Sequence, residues 1–168
     1  MPFVRKFKAK FARQLPKNML ALIEAHQAAA LLEANDGVAM TPFKEFNRAR
    51  PAKVHFPAVT IYRRRTGKIE NSNGQLLKST VEHAVEIAVQ GNTEGETMDE
   101  LETRVEAVDS ILRQDTPEAV AILLEGFPPT VTQVIIDIPD HVYGNNVPEG
   151  GKHTRVAALT VTAELMEA

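Results

Sequence analysis

Five histidines stand at positions 26, 55, 83, 141 and 153, far apart along the chain. Only His141 and His153 share a loop region with acids, Asp137 and Asp140. Imidazole and carboxylate are metal-ligating groups, and a metal centre needs at least three of them aimed at one point. The plainer alternative is a solvated loop. His83 falls on the apolar side of an alternating pattern, where a half-buried, hydrogen-bonded histidine is expected rather than a catalyst. Glu102, Glu106 and Asp109 share one helix face. Paired acids suit proton transfer, yet the wet side of any amphipathic helix looks the same. The chain has no cysteine, which excludes a disulfide framework, thiolate zinc ligation and a thiol nucleophile. It carries no phosphate-binding glycine loop, no dinucleotide fingerprint, no nucleophile elbow and no zinc-protease helix motif. The expectation is a protein that is not an enzyme and needs no cofactor or metal.

Two basic features remain. Arg63-Arg64-Arg65 with Lys68 stands at the end of a strand and runs into its turn. Alternation sends Arg63 and Arg65 to one face and Arg64 to the other. Guanidinium groups so clustered suit DNA phosphates or a DNA channel, and equally guard a strand edge against pairing. The second feature is the start of the chain. Phe3, Phe7 and Phe11 recur every four residues, among Arg5, Lys6, Lys8 and Lys10. They form an aromatic stripe with a basic flank that needs a surface to cover. An acidic helix face in a neighbouring copy, Asp99, Glu102, Glu106 and Asp109, is a candidate partner.

The elements that must carry these residues are legible in outline. After the basic segment 1–16, a single α+β domain is expected over 17–168. Pro16 interrupts the first helical pattern, and an alanine- and leucine-rich helix follows to Ala34, stopped by Asn35-Asp36-Gly37. Residues 38–56 read as a loop with at most one helical turn. Ala58 to Arg65 is a β-branched strand followed by turn residues at Gly67 and Asn71–Gly74. Val81 to Val89 alternates with period two. Gly91 to Glu96 reads as a polar loop, and Thr97 with Glu100 as a capping box for a helix to about Arg113. Thr116-Pro117-Glu118 opens a second short helix, stopped at Gly126. Val131 to Ile138 is a strand closed by Pro139, His141 to Lys152 a loop, and Arg155 to about Met166 the last strand. The fold class is α+β: a mostly antiparallel sheet of about four strands, helices on one face, and an N-terminal helical extension.

Charge bounds the partners. Residues 1–80 hold fifteen Lys or Arg against five Asp or Glu, and residues 81–168 hold four against seventeen. The halves therefore carry +10 and −13, which together make the net −3. Such a split points to an oppositely charged surface, in another protein or in nucleic acid. No apolar run approaches a membrane span, so no membrane partner is expected. The basic start lacks the apolar core of a secretory signal, although a mitochondrial presequence shares its charge.

The order of these segments resembles a known family. Phe56-Pro57-Ala58-Val59-Thr60-Ile61 is followed by the Val81–Val89 strand. Met98-Asp99-Glu100-Leu101-Glu102-Thr103-Arg104-Val105 comes next, then Val108-Asp109-Ser110-Ile111-Leu112 and a closing strand Arg155–Leu165. Over about residues 17–168 this resembles the tail-terminator and head–tail joining (neck) proteins of long-tailed bacteriophages. The basic segment 1–13 and the arginine triplet match no motif of that family. The resemblance implies an α+β subunit of a homohexameric ring in the virion at the head–tail junction, assembled in the host cytoplasm. It also implies a tail tube protein and a head-side connector or stopper protein as partners, with genomic DNA passing through the lumen. The alternative is a small, sequence-nonspecific nucleic-acid-binding protein using the basic N-terminus and Arg63–Arg65.

Overall fold

The computed structural model describes residues 9–72 and 76–167. Helix α1 spans Ala9–Ala34 with Pro16 inside it. The expected break at Pro16 does not occur. A proline inside a helix costs about 3 kcal/mol. On either side of it Leu15, Met19, Leu22 and Ile23 are fully buried, each contributing about 1.5–3 kcal/mol. Burial therefore carries the helix past the proline. The stop comes where expected: Asp36 and Gly37 take positive φ, and the Gly37 amide donates to the Leu32 carbonyl.

The segment read as a plain loop contains a short strand, β1 (Glu45–Asn47), parallel to β2 (Ala58–Ser72). Phe43 anchors it: its ring is buried, and its amide donates to Gln27 Oε1 on α1. The Lys44 amide donates to the Pro57 carbonyl. Strand β2 does not turn at Gly67. It continues to Ser72 through two register irregularities and pairs with β3 (Leu76–Gly91), which starts before Val81. Helix α2 (Glu94–Leu112) also starts earlier than expected. Its cap is Thr93, whose hydroxyl accepts from the Glu96 amide, the same three-residue spacing one turn upstream. Thr97 is buried instead, and its hydroxyl lies too close to Gly91 to leave room for a Cβ there. Helix α3 (Pro117–Leu123) has Thr116 as its cap, as expected.

Strand β4 (Val131–Tyr143) runs past Pro139, which sits in a register shift between Asp137 and Asp140. A proline is tolerated there because β4 is an outer strand and a bulge needs no donor at that point. The expected loop after it is mostly strand. β5 (Val147–Glu149) and β6 (Lys152–Glu167) form a hairpin through Gly150 and Gly151, both at positive φ. The sheet order is β1-β2-β3-β6-β4, with β5 on β6 and every pairing but β1–β2 antiparallel. The result is a mixed α+β fold.

Val81, His83, Val85, Ile87 and Val89 of β3 pack with Ala157, Leu159, Val161, Ala163 and Leu165 of β6 on one sheet face. Helices α1 and α2 cover that face, and α3 packs on α1. His83 is fully buried rather than half-buried, because helices roof its strand. No described helix is long and apolar enough to cross a membrane. Two polar side chains pin the layers. Arg104 is 1% exposed, donates to Glu100 and to the Thr41 carbonyl, and lies 5.0 Å from the Phe43 ring centroid. Asn18 Nδ2 donates to the carbonyls of Leu123 and Glu125, at 2.8 and 2.7 Å, and Gln14 donates to its Oδ1. Asn18 thereby ties the end of α3 to α1. Replacing it leaves carbonyls without their donor, so Asn18→Leu is expected to cost about 2–4 kcal/mol in urea unfolding. An unchanged midpoint would refute that role.

Candidate functional site

Among the described residues, charge gathers on three surfaces. The first is the outward side of α2. Glu96, Asp99, Glu102 and Glu106 are exposed, and no described residue forms an ion pair with them. The 3.6-residue period that buries Leu101, Val105, Val108 and Leu112 places these acids in solvent. Asp109, grouped with them in the sequence, is turned toward β4. It accepts from Arg113 at 2.5 Å and meets His141 Nε2 at 2.6 Å. The Asp109 carboxylate raises the Arg113 pKa. Glu102, Glu106, Asp109, Ser110, His141 and Tyr143 rim an open cleft of about 430 Å³. Burial raises the Tyr143 pKa, with Glu102 adding to it.

The possible metal cluster does not come together. His141 goes to Asp109, His153 Nδ1 meets Asn146, and Asp137 and Asp140 lie across β4 from His141. Among the described residues no three His, Asp or Glu side chains converge.

The second surface is the arginine triplet. Arg63, Arg64 and Arg65 are exposed within β2 rather than at its end. The register shift between Arg63 and Arg65 pairs them with adjacent β3 residues, His83 and Glu82. It therefore breaks the simple alternation, and Arg65 shares the open sheet face with Glu82, its ion-pair partner at 3.1 Å. Lys68 lies in β2, and its side chain is outside the described features. Phe3, Arg5, Lys6, Phe7 and Lys8 lie outside the described residues; Lys10 and Phe11 lie in α1, with side chains undescribed.

The third surface escaped the sequence. On the open sheet face Arg50 pairs with Glu86, and the Tyr62 hydroxyl donates to the same carboxylate at 3.0 Å. Arg50 and Glu86 line a cleft of about 420 Å³ with Pro51, Val54, Ala88 and Val156. The polar phase of β3 marked Glu86; nothing in the sequence marked Arg50, which reaches it from an irregular segment.

No family model matches this chain, and no curated protein does. Among solved structures it is similar to a chain from the virion of a native gene transfer agent (GTA) particle. The two share 10% identity and a TM-score of 0.48 over 90% of this chain and 94% of that one.

The hydrogen bond from Arg50 holds the Glu86 carboxyl below its ordinary pKa, against the opposing effect of burial. A depressed carboxylate stabilises the fold above its unfolded pKa and stops doing so as pH falls through the folded value. Arg50→Met is therefore expected to be less stable than the parent at neutral pH. The difference should shrink as pH drops below the ordinary carboxylate value of 4.5. A gap independent of pH in denaturant titrations would argue against this coupling.

Proposed function

We propose that this chain is a structural protein of a phage-type virion, a tail-terminator or neck ring subunit at the head–tail junction. It caps the tail tube and docks it to the connector or stopper, with DNA passing through the ring. The observation that carries the reading is the separation of charge on the folded molecule. The acidic row Glu96, Asp99, Glu102 and Glu106 lies on α2, and Arg63–Arg65 lies on β2. One copy thus presents both signs on different surfaces. Head-to-tail contacts join unlike patches, and complementary potentials set their register. The order of motifs along residues 17–168 supports the same reading.

The purified protein is expected to form a closed oligomer, a hexamer by mass, alone or on addition of tail tube protein. Reversing Asp99, Glu102 and Glu106 to lysine together should weaken self-association at least about tenfold. A species that stays monomeric at every concentration, with and without tube protein, refutes the proposal.

Three consecutive exposed arginines favour a second reading, sequence-nonspecific DNA contact. It expects duplex retention at low salt that falls steeply toward physiological salt and is lost in the Arg63/Arg64/Arg65→Ala variant. No retention at low salt removes it.

A further inference from the structure

The sheet has two outer edges, and they carry opposite charge. Strand β1 pairs with only Ala58, Val59 and Thr60 of β2, so beyond Thr60 the outer side of β2 has no strand beside it among the described residues. Strand β4 pairs with β6 alone, so among the described residues no strand lies along its other side; its Ile138 carbonyl accepts from the Arg113 side chain of α2. Open edges expose unpaired backbone donors and acceptors and recruit other strands. The β2 edge carries Arg63, Arg64 and Arg65. Strand β4 carries Asp137 and Asp140 and no Lys or Arg of its own; Arg113 of α2, already paired with Asp109, is the cation that reaches it, at the Ile138 carbonyl.

The two edges also stand level. The ladder runs in a row from Arg65 to Glu82, Thr162 and Asp137. A second row runs from Tyr62 to Ala84, Thr160 and Asp140. A third runs from Ile69 to Ser79, Leu165 and Val134. The free part of β2 therefore lies at the height of Val131–His141, and β1 sits beyond that stretch, clear of it. Strands β2 and β4 run in opposite directions, since three antiparallel pairings separate them. A rotation about an axis along the strands brings β4 of one copy beside β2 of the next, antiparallel, with Asp137 facing the arginine triplet.

We propose that copies of this protein join edge to edge, β4 of one pairing antiparallel with the Ile61–Ser72 part of β2 of the next, so that one sheet continues through the assembly. This deepens the ring reading and rests on it. The charges select the arrangement. Two β2 edges repel one another, two β4 edges repel one another, and only the unlike pair attracts. The result is a heterologous contact, the kind that closes into a ring. The apolar side chains on the outward part of the sheet fit the same contact. Ile135 is 41% exposed and stands between Val134 and Ile136, which pack partly on the core.

The absence of native cysteine makes the test direct. Asp137→Cys is combined in one chain with Arg63→Cys, Arg64→Cys or Arg65→Cys, and the full-length protein is oxidised and run without reductant. Facing Cα atoms of paired antiparallel strands lie about 4.5–5.5 Å apart, within disulfide reach. Inside one copy the two positions are three strand spacings apart, about 14 Å, beyond it. Every disulfide formed is therefore between copies. The expected result is a covalent ladder ending at the ring size, from at least one pair, and none from a control pairing Asp137→Cys with Glu118→Cys. An oligomer of unchanged mass that yields no ladder from any of the three pairs overturns edge pairing and leaves the ring standing. A parent protein that never associates, alone or with tube protein, overturns the ring reading itself.

Discussion

The pairing of β3 with β6 is the interaction on which the rest depends. It runs from Leu77 to Gly91 on one strand and from His153 to Glu167 on the other. One face of this pair is an apolar strip interrupted by the buried His83: Val81, Val85, Ile87 and Val89 on β3, with Ala157, Leu159, Val161 and Ala163 on β6. Because side chains alternate at period two, a slip of one residue would expose that whole strip. Helix α2 packs over it, and α1 packs on α2 and on the neighbouring β2. The register it fixes then passes outward to β2 and β4, and so sets which charged residues stand level across the sheet.

That dependence explains how local features give way. Pro16 does not break α1, since Leu15 and Met19 on either side are fully buried. Pro139 does not end β4, since the strand is an outer one and accommodates it in a bulge. Gly67 does not turn β2, since β3 offers a partner as far as Ser72. Each case sets a local preference worth at most a few kcal/mol against a packed neighbour.

The same logic governs the charged side chains. Asp109 and Glu106 are three residues apart on α2, yet one is held by Arg113 and His141 and the other stays in solvent. Arg50 comes from an irregular segment and reaches Glu86 beside Tyr62, so its place follows from the route of residues 48–57 over the sheet. The bulge in β2 turns Arg65 toward Glu82.

The class of the fold, the long strands β3 and β6, the helix stop at Asn35–Gly37, the Thr116 cap and the division of charge between halves can all be read from the amino-acid sequence. These follow from periodicity, capping chemistry and composition, which are properties of neighbours along the chain. Where the strands end, which helix turn comes first and where the basic and acidic groups lie relative to one another were decided only in the tertiary structure. Those are set by partners many residues away: α2 roofing His83, β4 receiving Asp109 through His141, and β1 stopping at the third residue of β2. The free edges of the sheet belong to this second group, because an edge exists only where no other strand has arrived.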